Sequence, residues 1–372
     1  MTKRAMKYRF YPTTEQDTLL SQSFGCVRFV YNHILRWRTD AFYQRQEKIG
    51  YIQANAELTR MKQSGEFPWL NDVSCVPLQQ CLRHQQSAFK NFFEGRSRYP
   101  TFKKKKHRQS VELTKSAFSY RDGQLYIAKC KAPLNIRWSR ELSSEPSTVT
   151  ISRDCAGRYF VSMLCEFTPG VLRVSPKTIG LDVGIEHLLI TDSGEKVGNP
   201  RHTAKYATQL AKAQRELSKK KLGSANRAKA KVKVARIHAR ISDCRMDNLH
   251  KLSRRLINEN QVVCVESLRV RNMIRNPKLA KHIADASWGE LLRQLEYKAE
   301  WAGRQLVKID QFFPSSKRCS GCGYTHASLP LSVRSWECPE CSVTWDRDIN
   351  AAKNIKAVGL TVLALGENVS RA

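Results

Sequence analysis

Two Cys-x-x-Cys knuckles constrain this chain more than any other feature. Cys319-Ser-Gly-Cys322 and Cys338-Pro-Glu-Cys341 are separated by fifteen residues. Each knuckle sets two thiolates on one side of a tight turn, and two knuckles complete a tetrahedral four-sulfur shell. The spacing is that of a zinc ribbon. No fifth ligand accompanies them, so one Zn2+ held there is expected to be closed and structural. Paired redox dithiols, the rival reading, fit poorly with Lys- and Arg-rich surroundings. The other eight of the twelve cysteines show no such pairing. They read as free thiols, several among apolar residues, which fits a reducing, cytoplasmic setting rather than a disulfide framework.

Charge narrows the partners. The 372 residues carry 64 Lys and Arg against 33 Asp and Glu, a net charge of +31. Such a surface repels itself unless a polyanion neutralises it, and nucleic acid is the commonest one. The length allows about two to three domains. No apolar run approaches the roughly 18 residues that span a bilayer. The start, MTKRAMKYRFYPTTEQ, has no apolar h-region of a secretory signal.

Residues 6–11 alternate as a basic strand, and Thr13 with Gln16 forms a capping-box pattern that opens a helix. Leu20, Phe24, Val27, Tyr31 and Ile34 follow at helical spacing. Helical patterns also run through 54–61 and 77–93, the latter with Leu78, Cys81, Leu82, Ala88 and Phe92 as candidate core. From about 108 to 170, strand-like pieces appear at 124–127, 148–152 and 159–167, with turns at Asp122-Gly123 and Ala156-Gly157. This is read as a small β domain that includes the first strand, with the helical block inserted. Residues 178–192 read strand, turn, strand. Residues 201–259 are helical, with 17 Lys or Arg against 4 acids, and Gly223-Ser224 is placed to break them into two antiparallel helices. Residues 262–265 form a buried β-branched strand. Ser287 and Glu290 read as the capping box of a helix whose buried face carries Leu291, Leu295, Ala299, Ala302 and Leu306. A strand at 306–309, a last helix at 349–358 and a poorly ordered tail beyond Leu365 complete the reading.

Three acids stand where a sheet would gather them. Ile179-Gly180-Leu181-Asp182-Val183-Gly184 sets Asp182 in an apolar strand, where an ionised side chain is costly unless paired or metal-bound. Taken alone, it also reads as a turn Asp. Glu266 closes the run Val262-Val263-Cys264-Val265-Glu266, and active-site groups of open α/β sheets gather at strand carboxyl ends. A helix cap or a surface Glu is the alternative there. Trp345-Asp346-Arg347-Asp348 opens the last helix with Asp348 in its first turn, Asp346 as N-cap, and Ala351 and Ala352 permitting close packing. The reverse assignment, Asp346 in the site and Asp348 structural, stays open. Together Asp182, Glu266 and Asp348 are able to hold two Mg2+ or Mn2+ ions roughly 4 Å apart, hard cations that oxygen ligands select. One would activate water and the other would stabilise a leaving 3′ oxygen, which makes the chain a nuclease candidate.

The runs GLDVGIEHLLITDSG, VVCVESLRVRNM, ASWGELLRQLEYKAEWAGRQL, FFPSSKRCSGCG and DRDINAAKNI occur in that order, after CVRFVYNHILRWR and LQQCLRHQQSAFKNFF. In this serial combination the chain resembles, over nearly its whole length, the TnpB family of insertion sequences, relatives of type V CRISPR effectors. The resemblance implies a multidomain α+β fold. A wedge-like β barrel (1–12 and 96–174) would carry an inserted helical recognition domain (13–95). A ribonuclease H-like (RuvC) α/β nuclease domain (175–311 and 346–372, with the basic helical insertion 201–259) would follow, carrying a zinc ribbon (312–345). It also implies an RNA-guided, Mg2+-dependent DNA endonuclease in a prokaryotic cytoplasm. That enzyme would be a monomer with one noncoding RNA from the transposon end, cutting double-stranded DNA beside a short motif the protein reads. The family triad maps onto Asp182, Glu266 and Asp348. Two positions depart from the family pattern: Ser267 follows Glu266 where Asp is frequent, and Ser342 follows the second knuckle where Gly is frequent.

Lys219, Lys220, Lys221 and Arg227 in the basic helices, and the run Lys103, Lys104, Lys105 and Lys106, are candidate phosphate contacts. Such contacts give affinity and salt dependence without sequence information. Tyr51, Gln79 and Gln80 are candidate groove readers, with ordinary surface polarity the equal alternative. Competing functions are an RNA-guided regulator whose nuclease has decayed, a transposase, and a transposase accessory protein that binds DNA. The complete triad tells against the first. A tyrosine transposase would need a paired His motif, and none is present. A carboxylate transposase fits poorly with a ribbon between the second and third acids.

Overall fold

The computed structural model describes residues 2–366, so the tail expected to be poorly ordered lies, apart from Gly366, outside the described residues. The chain forms two compact units that part between Thr168 and Pro169.

The first unit opens with β1 (Thr2–Phe10), whose alternation buries Met6, Tyr8 and Phe10 and turns Lys3, Ala5 and Lys7 outward. Helices α1 (Thr14–Arg45), α2 (Tyr51–Gln63) and α3 (Cys75–Phe93) follow. The capping box at Thr13 and Gln16 forms as expected: each side chain accepts the other's backbone N–H, at 3.3 and 3.1 Å. Leu20, Phe24, Val27, Tyr31 and Ile34 are buried, as are Leu78, Cys81 and Leu82, whereas Ala88 and Phe92 are only half-buried. Strands β2 (Gln109–Thr114), β3 (Phe118–Arg121), β4 (Gln124–Ile127), β5 (Ile136–Arg137), β6 (Thr148–Arg153) and β7 (Tyr159–Phe167) complete the unit. The antiparallel sheet runs β2-β6-β7-β1-β5, and β1 pairs with β7 from Thr2↔Phe167 to Phe10↔Tyr159. Helices α1 to α3 are thus an insertion between strands of one sheet. Asp122 and Gly123 both take positive φ in the two-residue turn joining β3 and β4, the conformation such hairpins require.

In the second unit, β8 (Thr178–Asp182), β9 (His187–Thr191) and β10 (Lys196–Gly198) precede α4 (His202–Lys205), α5 (Ala207–Ser218) and α6 (Ala225–Glu259). Then come β11 (Val262–Glu266), α7 (Val270–Met273), α8 (Ala280–Ala286), α9 (Trp288–Ala302) and β12 (Gln305–Ile309). The hairpin β13 (Ser335–Glu337) and β14 (Thr344–Asp346) leads into α10 (Arg347–Ala364). The units part before residue 174, because Leu172 N–H already bonds Ala302 O in the second unit.

The sheet order is β10-β9-β8-β11-β12, with β8, β11 and β12 parallel and β9 reversed. One face carries Leu181, Val263 and Val265 against Leu249 and Leu256 of α6 and Leu291 and Leu295 of α9. The other carries Cys264 and Val307 against Ile355 of α10. Helix α10 lies very close to that face. A Cβ on Gly180 would stand 2.2 Å from Ala352 O, and one on Gly359 would stand 2.4 Å from Cys264 Sγ. Gly180→Ala must therefore move backbone rather than a flexible side-chain end. It should cost about 3 kcal/mol in denaturant unfolding, whereas Ala at Gly289, where nothing lies within 4 Å, should leave stability unharmed.

The basic stretch folds as the expected pair of helices. Residues 219–224 separate α5 from α6, and Ser224 caps α6 by accepting Arg227 N–H. Three local expectations need correction. The Ser287–Glu290 box does not form: Ser287 adopts φ 56° between α8 and α9, and its hydroxyl turns back to Ala284 O. Glu290 pairs with Arg293 instead. Leu306 belongs to β12, because Gly303 ends α9 in the left-handed conformation. The last helix is longer than 349–358, since Asp346 caps it and apolar residues continue to Leu363.

Candidate metal centres

Strand alternation decides where the acids point. Cys264 faces α10, so Glu266, two residues on, takes the same side. Gly180 lies against Ala352, so Asp182 also takes it. The register Leu181↔Val265 sets Asp182 and Glu266 side by side at the carboxyl ends of neighbouring parallel strands. Asp348 is in the first turn of α10, the helix covering that face.

Electrostatics tie the three together. Burial raises the Asp182 carboxyl well above its usual range, and the charges of Glu266 and Asp348 raise it further against the opposing Arg347 and Arg334. Burial also raises Glu266, partly offset by the hydrogen bond it accepts from the Ser315 hydroxyl. Arg334 Nη1 lies 3.5 Å from Asp348 Oδ1. A carboxyl raised by two neighbouring acids, with no lysine paired to any of the three carboxylates among the described residues, has the donor chemistry of a hard-cation site. Among the described residues, only the four cysteines bring three or more possible ligand atoms all within 4.8 Å of one another. The three carboxylates therefore do not all lie within that distance of one another.

Asp346 has other work. Its Oδ1 accepts the N–H groups of Asp348 and Ile349 at 3.0 and 3.1 Å, and its Oδ2 accepts from Lys196 Nζ at 2.6 Å. Burial would raise its carboxyl, but these donors hold it below the usual range.

Cys319, Cys322, Cys338 and Cys341 form the other centre, a shell that fits one tetrahedral metal ion. The two knuckles repeat one turn. Gly323 N–H bonds Cys319 O at 2.9 Å, and Ser342 N–H bonds Cys338 O at 2.8 Å. Both residues have positive φ, 86° and 56°. This explains the glycine frequent at the second position in the resembling family, since Ser342 bears a Cβ in a conformation that disfavours one. Burial raises the Cys319 thiol, yet the Cys322 and Gly321 amides and the Trp345 indole bring it down to about 6. The segment is fastened to α10. Asn350 and Asn354 both donate to Ser315 O and Arg318 O, Asn350 Oδ1 accepts Ser320 N–H, and buried Arg347 reaches Pro330 O and Ser316 Oγ. The sequence reading missed Ser315, Arg334, Arg347, Asn350 and Asn354. The i, i+4 spacing of the two asparagines, with Arg347 one turn earlier on the same helix face, was the available signal.

The candidate nucleic-acid residues fall in several settings. Lys104, Lys105, Lys106, Lys219, Lys220 and Lys221 are exposed. Lys103 lies over the Tyr31 ring at 4.3 Å, and burial lowers its ammonium pKa. Arg227 is turned onto Leu217 O and Lys220 O, clasping α5 to α6. Tyr51 packs under Arg83, while Gln79 and Gln80 are half-buried on α3.

Residues 172–277 match a family model described as "Probable transposase", and residues 288–355 match one described as "Cas12f1-like, TNB domain". Residues 1–47 match a "Helix-turn-helix domain" model, although here they form a strand and one long helix. A Streptomyces pristinaespiralis protein named "Putative RNA-guided DNA endonuclease" is 54% identical over 99% of this chain and 92% of its own length. The chain belongs to the TnpB family. A second TnpB relative, "Putative RNA-guided DNA endonuclease InsQ" of Escherichia coli K12, is 30% identical over 98% of this chain and 94% of its own. In fold, this TnpB protein is similar to the Cas12f1 chain of a cryo-EM complex with sgRNA and target DNA. The TM-score is 0.58 at 12% identity, covering 95% of this chain and 98% of that one.

Proposed function

We propose that this protein is an RNA-guided DNA endonuclease that hydrolyses phosphodiester bonds at a ribonuclease H-like (RuvC) site. The observation that carries the reading is the placement of Asp182 and Glu266 abreast at the ends of β8 and β11, facing the helix that carries Asp348. A sheet with one reversed strand and acids on its central parallel strands supports the ribonuclease H-like assignment. Asp182, Glu266 and Asp348 would hold Mg2+ or Mn2+. When bound, such ions supply Lewis-acid activation of water and stabilise a leaving oxyanion. Asp346 keeps the α10 amides capped, and the Ser315 hydroxyl donates to Glu266. The four cysteines would hold one structural Zn2+.

The rest of the chain fits a guided enzyme. The first unit's sheet would serve as the wedge domain and its inserted helices as the recognition domain, with Tyr51, Gln79 and Gln80 as groove readers. Exposed lysines on 104–106 and 219–221, with Lys103 held against Tyr31 beside the first run, would neutralise phosphates, so binding weakens steeply with salt. The relatives are named as RNA-guided endonucleases, and guide RNA and double-stranded DNA are the proposed partners, with one RNA per monomer.

The test is plasmid-library cleavage. The protein is expressed with RNA transcribed from its gene's downstream flank, reprogrammed to a chosen target beside randomised bases. Mg2+-dependent cuts enriched for one adjacent motif are expected. Target binding without cutting in either Mg2+ or Mn2+ would instead identify a nuclease-silent regulator.

A further inference from the structure

Ser315 sits four residues before the first zinc-knuckle cysteine and is 7% exposed. Its hydroxyl donates to Glu266 Oε1, the only side-chain hydrogen bond to that carboxylate among the described residues. Its carbonyl is fixed in turn: Asn354 Nδ2 donates to it at 2.8 Å, and Asn350 Nδ2 lies at 3.4 Å. The same two amides hold Arg318 O, at 2.6 and 2.7 Å, immediately before Cys319. Asn350 also accepts Ser320 N–H at 2.9 Å, inside the knuckle. Both asparagines are buried on α10, the helix that bears Asp348. One rigid network therefore joins the first knuckle, Ser315, Glu266 and the helix of the third acid.

We propose that Ser315 is a positioning residue for Glu266, and that Asn350 and Asn354 lock it to the closed zinc knuckle, so that the ribbon sets the geometry in which the acids receive a divalent cation. A carboxylate with one oxygen engaged by a hydroxyl presents the other in a fixed direction. Groups that orient metal-binding side chains in this way change metal affinity by about 10- to 100-fold when removed. The buried amides are satisfied only while residues 315–320 keep their path, so an open knuckle releases Ser315. The inference rests on the carboxylate-site reading above.

The experiment is Mn2+ titration of the full-length zinc-loaded protein, followed by EPR of free Mn2+, on wild type, Ser315→Ala, Ser315→Thr and Asp182→Ala. Zinc content and thermal unfolding are recorded for each. Wild type should bind Mn2+ that Asp182→Ala does not. Ser315→Ala should weaken that binding about 10-fold or more with zinc still at one per chain, and Ser315→Thr, which keeps the hydroxyl, should restore most of it. Wild-type affinity in Ser315→Ala overturns the inference while leaving the carboxylate site standing. Loss that Thr does not restore, with zinc or thermal stability falling too, makes Ser315 a mere packing residue and also overturns it. Wild type binding no more Mn2+ than Asp182→Ala removes the carboxylate-site reading itself, and this inference with it.

Discussion

Asp182→Asn should lower guided DNA cleavage by about 10^3-fold or more while raising the thermal stability of the metal-free protein. Both effects have one cause. Asp182 is a half-buried carboxylate beside Glu266 and Asp348, and desolvation together with those two charges penalises its ionised form in the folded state. Asn keeps the shape and removes the charge, which relieves the repulsion and deletes the proposed central ligand. The pH dependence has a fixed sign. Asp182 and Glu266 hold protons more tightly folded than unfolded, so the folded state binds more protons between the two sets of pKa values. Stability of the metal-free protein therefore falls as pH rises from the unfolded carboxylate pKa through the raised folded values. A bound cation must displace those protons, so its affinity and the cleavage rate should rise with pH across the same window. Thermal unfolding of wild type and Asp182→Asn across acid to neutral pH, with and without Mg2+, checks this. A metal-free Asp182→Asn protein less stable than wild type at neutral pH would contradict the argument.

Much of the site was legible because its signals are local. A β-branched run ending in Glu266, an apolar strand ending in Asp182 beside Gly180, and Asp346-Arg347-Asp348 before two alanines each point to a strand end or a helix start, and only their combination favours a shared site over a turn Asp, a surface Glu or a catalytic Asp346. Strand alternation then puts the side chains on one face. The residues that connect the centres were not legible, because their partners are distant. Nothing near Ser315 in sequence points to Glu266, and nothing near Arg347 points to Pro330 O. The Ser287–Glu290 misreading shows the converse limit. The letters fit a capping box, but the tight junction between α8 and α9 demands positive φ at Ser287, and the backbone overrides the motif. Strands β2 and β3 were missed because β2 carries only Val111 and Thr114 as β-branched residues, against four in the equally long β6, and β3 carries none; pairing with neighbours makes them strands.

Cys338→Ser, or chelation of the wild type, should remove the one zinc proposed for the four cysteines and destabilise the second unit by about 5 kcal/mol or more, a fall of about 10 °C or more in its unfolding transition. The ribbon has little else to hold it. Its buried cluster consists of Cys319, Trp336 and Cys338, and its only sheet is the β13-β14 hairpin, of a kind marginal in water by itself. The loss does not stay within the ribbon. Arg347, Asn350 and Asn354 are buried and spend their hydrogen bonds on carbonyls of residues 315, 318, 330 and 333. When those carbonyls lose their fixed path, a cation and two amides on α10 are left without partners in a buried setting, each a further penalty of about 1–3 kcal/mol. Because α10 also carries Asp348, cleavage should disappear with the zinc. Cys155→Ser, at an exposed thiol outside the knuckles, is the control and should change neither metal content nor stability. Zinc by atomic emission and unfolding by calorimetry decide the matter: a Cys338→Ser protein that melts with wild type, or that still carries one zinc, would mean that the four sulfurs are not the clasp that fixes this end of the sheet.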